Sequence, residues 1–347
     1  MEKTLRNILV VRTDRLGDVV LTLPMLPILK KHYPQARLTM LVQSYTAEIV
    51  DGNPYVDQIL FYDRGGHGRP FGELLSAVKS EAFDACIVVH PKFRVAFLLA
   101  LAGIPIRAGT GYRWYSFLFN RRIYEHRKMG EKHEVEYNLG LLKAVDIEPS
   151  AERVEFAVTI PPEAEQKASR LREGLGIRNS DTVVIIHPGS GRSARDWRPV
   201  HFRELASQLS SKPGTKVIIT GGKDEGPLVH EVSGPKTTNC IPLSDQLSLK
   251  ELAALIRSSD LFISNSTGPI HIAAAVETPV IGFYANVTVA SPQRWGPYTT
   301  KKRLFVGQGP LNCVKCLKND TEPCECMDRI RVEDVVNAVE ELLQMAK

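Results

Sequence analysis

Long apolar runs are what this chain most clearly lacks. The longest, residues 95–104, has ten residues and stops at Pro105, about half of the ~20 that a membrane-spanning helix needs. Near the start only residues 8–11 are apolar, too few for the core of an export signal, so the protein is expected in the cytoplasm. Excess charge is lacking too. Against 39 Asp and Glu stand 44 Lys and Arg, a net +5, which by itself does not make a nucleic-acid binder, and none is expected as a partner. With 25 Gly, 22 Pro and 43% hydrophobic residues, the composition excludes disorder and collagen-like order. No short-period repeat is present, which argues against a solenoid.

What is present is alternation. At roughly 150 residues per domain, 347 residues imply two domains. Residues 7–12 form a short β-branched run, followed by a Gly-bearing loop and an apolar-periodic stretch over 19–32 that predicts a helix. Further strand-like runs lie at 38–43, 58–62 and 85–90, with a helical candidate at 71–80. A polar, Glu-rich passage at 146–155 and the pair Pro161-Pro162 mark a connection, with a linker helix over 162–175. The pattern then restarts: strands at 182–187, 216–220, 261–264 and 280–284, helices at 199–209, 249–257 and 268–276. The expected division is 1–160, 161–330 and a terminal helix at 331–347 that packs back on one half or the other. Strands alternating with helices predict an α/β fold of two Rossmann-like, doubly wound domains, with ligands at the carboxyl ends of the strands facing across a cleft.

Three loops carry candidate chemistry. Asp18, in Arg15-Leu16-Gly17-Asp18, sits where the first helix begins and reads either as an N-cap or as a general base. That loop holds one glycine rather than the dinucleotide fingerprint, so a dehydrogenase gains little support. In the second half, His187-Pro188-Gly189-Ser190-Gly191-Arg192-Ser193-Ala194-Arg195 follows a strand with small residues, hydroxyls and guanidinium groups that suit an anion. Asn265-Ser266-Thr267-Gly268 places hydroxyls and a glycine at a helix N-terminus, which favours phosphate. Each loop alone could be only capping and a turn; two at one sheet edge favour a phosphate site. His271, one turn into that helix, either reaches the phosphate or is structural.

These residues resemble glycosyltransferase family 9, the heptosyltransferases of the lipopolysaccharide inner core. The carriers are residues 8–12 through Arg15-Leu16-Gly17-Asp18 and the following Leu-Thr-Leu-Pro, His187-Pro188-Gly189 leading to Trp197 and Pro199, and Ser264-Asn265-Ser266-Thr267-Gly268-x-x-His271. The resemblance implies a GT-B fold, an N-terminal acceptor half, and a C-terminal half holding a nucleotide sugar, usually ADP-L-glycero-D-manno-heptose. It also implies inverting transfer without a cofactor. On it, Asp18 is the catalytic base and Arg195 offsets charge on the leaving diphosphate. Ser190, Gly191, Glu225, Asn265, Ser266, Thr267, Gly268 and His271 form the donor-binding set. One departure is plain: the family usually carries Asp where this chain has Ser266. A relative using another nucleotide sugar or acceptor, or one that binds nucleotide without transfer, is the alternative.

Charge is unevenly placed. Residues 92–132 carry nine Lys or Arg against Glu125 and Glu131, a local +7. A solvated face explains such a run; so does a surface for an acidic, lipid-linked saccharide at the inner leaflet, in peripheral contact with the membrane. Arg15, Arg94, Arg113 and Arg121 are the acceptor-binding candidates. The interleaved Tyr112, Trp114, Tyr115, Phe117 and Phe119 suit an interfacial loop or a core. Finally, Cys313, Cys316, Cys324 and Cys326 fall within fourteen residues. That spacing allows a structural zinc or iron site, free or redox-active thiols, or a disulfide.

Overall fold

A computed structural model describes residues 5–149, 154–191, 194–235, 237–318 and 324–345. The chain divides into two compact units, residues 1–127 with 134–159 and residues 128–133 with 160–347. The division is therefore not one cut near 160: the last five residues of the basic stretch, with His133, belong to the second unit.

In the first unit β1 (Asn7–Val11), β2 (Arg37–Val42) and β3 (Gln58–Phe61) precede a two-residue hairpin of β4 (Asp63–Arg64) and β5 (His67–Gly68). After it come β6 (Ala85–Val88), β7 (Ile106–Thr110) and β8 (Arg121–Ile123). The sheet is parallel in the order β3-β2-β1-β6-β7-β8. Ile8, Leu9, Val10 and Val11 are all fully buried, as befits a parallel strand covered on both faces. The helices are α1 (Leu16–Val20), α2 (Met25–His32), α3 (Ser44–Val50), α4 (Phe71–Ser80), α5 (Phe93–Leu101) and α6 (Glu134–Gly140). The single helix expected over 19–32 is thus two. Thr22 Oγ1 donates to the Asp18 carbonyl at 2.8 Å, and Pro24 supplies no N–H, so the ladder stops and restarts at Met25.

The second unit repeats the plan. It opens on α7 (Pro162–Gly174), which packs on the later helix at Leu249–Arg257 of its own unit. Its strands are β9 (Thr182–His187), β10 (Thr215–Gly221), β11 (Cys240–Ser244), β12 (Leu261–Asn265), β13 (Val280–Tyr284) and β14 (Lys302–Val306). They are all parallel, in the order β11-β10-β9-β12-β13-β14. Between them run α8 (Pro199–Ser210), α9 (Gly226–Ser233), α10 (Leu249–Arg257), α11 (Gly268–Ala275) and α12 (Pro292–Trp295). The tail is α13 (Val314–Lys318), α14 (Glu325–Asp328) and α15 (Val332–Met345). Helix α15 lies against α8, β12 and β14 of its own unit, with Val335, Val339 and Leu342 buried in that core. The terminal helix therefore completes the second unit rather than the first.

Both sheets reverse strand order beside their first strand, between β1 and β6 and between β9 and β12. Such a switch point opens a crevice at the carboxyl ends of the strands, where α/β proteins bind ligands. Among the described residues no helix is long and apolar enough to cross a membrane.

Candidate functional site

The switch point of the first unit is built on a buried arginine. Arg12, directly after β1, is 1% exposed. Its Nε donates to Asp14 Oδ1 at 2.7 Å, and its Nη1 to Glu134 Oε1 and Asn138 Oδ1, both at 3.3 Å. Its Nη2 pairs with Asp18 Oδ1. Burial works against its charge, but Asp18, Asp14 and Glu134 outweigh it and hold the guanidinium charged. Glu134 and Asn138 come from α6, where Arg127 also bonds them, at 2.6 and 3.1 Å.

The backbone at Arg15 is extended and its side chain does not cap α1; Asp18 lies within the first turn. Asp18 is therefore not the N-cap. Its Oδ1 is taken by Arg12, and no protein hydrogen bond among the described residues engages Oδ2. From the loop after the neighbouring strand β6, His90 Nδ1 lies 3.3 Å from Asp14 Oδ2, and Lys92 Nζ donates to the Thr13 carbonyl at 3.0 Å. Burial, then the charges of Arg12 and Lys92, push His90 down to about 4, so it is a neutral imidazole near pH 7. Burial and the like charge of Asp18 push Asp14 up to about 6, although Arg12 opposes them. The buried Thr13 Oγ1 has no partner among the described residues.

The basic stretch divides by role. Arg107 bonds the carbonyls of Leu118 and Ile104, Arg122 that of Phe119, and Arg127 sits in the α6 network. Arg94, expected on the acceptor, is instead held against Tyr62 and Phe71, 5.3 and 5.8 Å from their ring centres, and bonds the Arg69 carbonyl. Arg15, Arg113 and Arg121 remain exposed. The aromatics divide too: Tyr115 and Phe119 are core, whereas Trp114 is 74% and Phe117 63% exposed. Phe93, Phe97 and Leu101, one stripe of α5, are also exposed. Trp114 stacks on Phe93 and Phe93 on Phe97, at 5.0 and 5.7 Å, giving a continuous exposed apolar surface.

In the second unit the loops after β9, β10 and β12 meet at the switch point. Ser190 Oγ donates to Asp196 Oδ2 at 2.7 Å. Gly191 takes φ +56°, a conformation favouring glycine. Arg195 is 7% exposed, and its Nη2 donates to the Lys315 carbonyl. Glu225 Oε2 accepts from the Gly222 N–H at 2.8 Å and stands 3.7 Å from His187 Nε2. A Cβ on Gly189 would lie 1.9 Å from Glu225 Oε1, so that carboxylate is seated where only glycine leaves room. Thr267 caps α11 by its backbone position and Gly268 opens the helix. Ser266 shares a hydrogen bond with Tyr284. His271 is 5% exposed, its Nδ1 has no partner among the described residues, and burial with the charge of His133 pushes it down to about 3. It can offer a neutral imidazole, not a cation.

Asn265 departs from expectation. Its Oδ1 accepts from the Trp197 N–H and its Nδ2 donates to the Pro188 carbonyl, both at 2.8 Å. With both ends of the amide occupied, it braces the loop after β9 rather than a ligand.

Beyond these loops the sulfurs of Cys313, Cys316, Cys324 and Cys326 lie within 4.8 Å of one another. Backbone N–H groups of Cys316 and Lys315 aimed at Cys313 hold its thiol down, to about 7, whereas burial pushes Cys326 up to about 11.

Arg12, Asp14, His90, Glu134, Asn138 and Asp196 were not found from sequence. One signal was available: His90-Pro91 and His187-Pro188 each close an apolar run beside a switch point, and each imidazole faces a carboxylate.

Two outcomes follow. Arg12→Met takes from Asp14 and Asp18 the buried cation they share and should cost about 3–5 kcal/mol, read by urea unfolding; a loss under about 1 kcal/mol would refute the network's role. Burial and Glu225 push Asp196 up to about 7 from 3.8. The folded state then binds the extra proton between those values, and the stability it gives is complete below about pH 4 and lost as pH rises through about 7. Asp196→Asn should therefore gain stability relative to the wild type on going from about pH 5 to about pH 8. Parallel curves would contradict it.

Comparisons with known proteins bear on the family and the fold. The family model described as glycosyltransferase family 9 (heptosyltransferase) matches residues 71–325. Lipopolysaccharide heptosyltransferase 3 of Escherichia coli K12 is 26% identical over 337 residues, covering 94% of this chain and 95% of that protein. A family 9 glycosyltransferase from Veillonella parvula superposes with a TM-score of 0.83 at 22% identity, covering 99% of each chain. The E. coli ADP-heptose lipopolysaccharide heptosyltransferase II gives 0.77 at 18%, over 98% of this chain and 99% of that one. The two Rossmann-like units are those of the GT-B class, and the chain belongs to glycosyltransferase family 9, as a glycosyltransferase enzyme.

Proposed function

We propose that this enzyme moves heptose from ADP-L-glycero-D-manno-heptose to an acceptor of the lipopolysaccharide inner core, with inversion at the anomeric carbon. The observation that carries this reading is Asp18: a carboxylate at the carboxyl end of β1, oriented through Oδ1 by the buried Arg12, with Oδ2 left for a substrate. Asp18 takes the proton of the acceptor hydroxyl, the oxygen attacks the anomeric carbon, and the bond from that carbon to the diphosphate breaks. Asp14 and His90 act through Arg12 and position the base. In the second unit Ser190, Thr267, Gly268 and Arg195 receive the diphosphate, and Arg195 with the N-terminus of α11 offsets the charge that ADP gains. The neutral His271 serves as a hydrogen-bond partner. No cofactor takes part in the transfer; the four thiolates are the seat of a structural zinc or iron ion.

The stacked Phe97, Phe93 and Trp114 surface, in a unit that also exposes Arg113 and Arg121, suits an acidic lipid-linked acceptor at the cytoplasmic face of the inner membrane. Ser266 favours a second reading, a different nucleotide sugar, since a hydroxyl bonded to Tyr284 replaces the family's carboxylate.

Asp18→Ala should lower transfer by at least ~10²-fold while ADP affinity, measured by calorimetry, stays within about twofold. Comparable turnover in the variant removes the base assignment, and a donor panel in which a UDP-, GDP- or dTDP-sugar outperforms ADP-heptose moves the substrate to the second reading. Replacing Phe93 and Trp114 together by Ser should reduce co-sedimentation with anionic phospholipid vesicles several-fold and leave ADP binding intact; undiminished sedimentation counts against the surface.

A further inference from the structure

The cysteine-bearing segment does more than close on itself. Three of its four thiols are buried, and the chain is shaped around them. A Cβ on Gly309 would lie 2.1 Å from Cys326 Sγ, and one on Gly307 2.9 Å from Met327 Sδ. The Gln308 N–H donates to the Cys326 carbonyl at 2.7 Å, which ties the stretch leaving β14 to the second cysteine pair. Four sulfurs around a tetrahedral ion at ~2.3 Å stand about 3.8 Å apart. Cys316 and Cys324 are already 3.3 Å apart, with all four inside 4.8 Å. Four soft donors in one such sphere fit zinc or ferrous iron.

The same segment holds two loops at the carboxyl edge of the sheet. Lys315, between Cys313 and Cys316, gives its carbonyl to Arg195. Asn312, next to Cys313, donates its N–H to the Asn286 carbonyl and accepts at Oδ1 from the Thr288 N–H, at 2.8 and 2.9 Å. Asp328, two residues beyond Cys326, bonds Arg198 at 2.6 Å. The cluster thus sits behind the loop that carries Arg195.

We infer that Cys313, Cys316, Cys324 and Cys326 bind one divalent ion of the zinc or iron kind, and that this ion sets the affinity of the second unit for a nucleoside diphosphate by fixing the Lys315 carbonyl against Arg195. The second clause rests on the donor reading above. The thiols release their protons as the ion binds, and the four ligands then lock the two ends of the segment. Arg195 is steadied by its bond to the Lys315 carbonyl where the diphosphate is received. Without the ion the carbonyl is no longer held, and the guanidinium loses that anchor.

The experiment uses the full chain without a polyhistidine tag. Metal content is measured by plasma mass spectrometry, the ion is removed by chelation under reducing conditions, and ZnCl2 is added back. ADP affinity is measured calorimetrically in each state, with circular dichroism reporting the fold. About one ion per chain is expected, with ADP affinity falling roughly tenfold on removal and returning with Zn2+, within the usual range for coupled sites. Arg195→Ala should keep its ion yet lose the metal dependence of ADP binding. Cys316→Ser should lose the ion, and Cys313→Ser, at a half-exposed position, repeats the measurement should Cys316→Ser not fold. No stoichiometric ion after Zn2+ addition overturns the metal site. Equal metal dependence in wild type and Arg195→Ala overturns the coupling. ADP binding that is strong but indifferent to metal does so too and leaves the donor reading standing. A loaded chain that binds no ADP removes the donor reading while the ion count still reports on the cysteines.

Discussion

A guanidinium that is 1% exposed cannot be left to water, and most of the first unit's chemistry depends on how Arg12 is answered. Removing such a charge from solvent costs several kcal/mol unless opposite charges meet it with good geometry. Here three carboxylates and an amide do so, from the loop after β1, from α1 and from α6. The arrangement forces α6, more than 120 residues later, to lie against the end of the first strand. It also places two carboxylates, Asp14 and Asp18, on one cation. Their environments differ: Asp14 is closed in by His90 and Arg12, while Asp18 keeps one oxygen uncommitted. A pair of carboxyl groups set apart in this way is the common means of giving each a separate task.

The second unit solves the same problem without a buried arginine at the strand end. There the strand closes on His187, whose Nδ1 meets Thr220 at 3.0 Å and whose far side meets Glu225. Burial keeps this imidazole neutral against the pull of Glu225. Both switch points thus present a neutral histidine and a carboxylate at a strand end, on two sheets with one strand order. The difference is in what surrounds them. The first unit adds acid and exposes arginine and aromatic side chains; the second adds glycines, hydroxyls and a helix N-terminus, which favour an anion.

The sheets were legible because buried parallel strands read as unbroken apolar runs, and residues 7–12 and 182–187 stand out as such. The edges were not: β8 and β14 carry Arg121, Arg122, Lys302 and Arg303 on exposed faces, so no apolar pattern marks them. Asp18, Ser190 and Gly268 were legible because each follows a strand and opens a loop or helix. Arg12 was read as the end of a strand, because no local pattern reveals that Glu134 and Asn138 will meet it. Asn265 looked like a ligand-binding amide for the opposite reason: its sequence position is right, and only the fold shows that both ends of its side chain are spent on Trp197 and Pro188. Four arginines of the basic run, Arg94, Arg107, Arg122 and Arg127, likewise bond backbone carbonyls of their own unit, a role invisible to a count of charges.

The short excursion of residues 128–133 into the second unit changes what a domain means in this chain. Gly130 packs under the Thr288 carbonyl, Gln293 bonds the Glu131 carbonyl at 2.8 Å, and His133 bonds the Gly296 carbonyl at 2.7 Å and stacks edge-on to Tyr298. A gene fragment beginning at residue 160 would therefore make a second unit missing part of its own packing, while the complementary fragment would carry that piece with nothing to bury it. The two halves are separate as folds and inseparable as stretches of sequence, so exchanging one half between relatives requires the six-residue segment to travel with the half it packs on rather than the half it is encoded in.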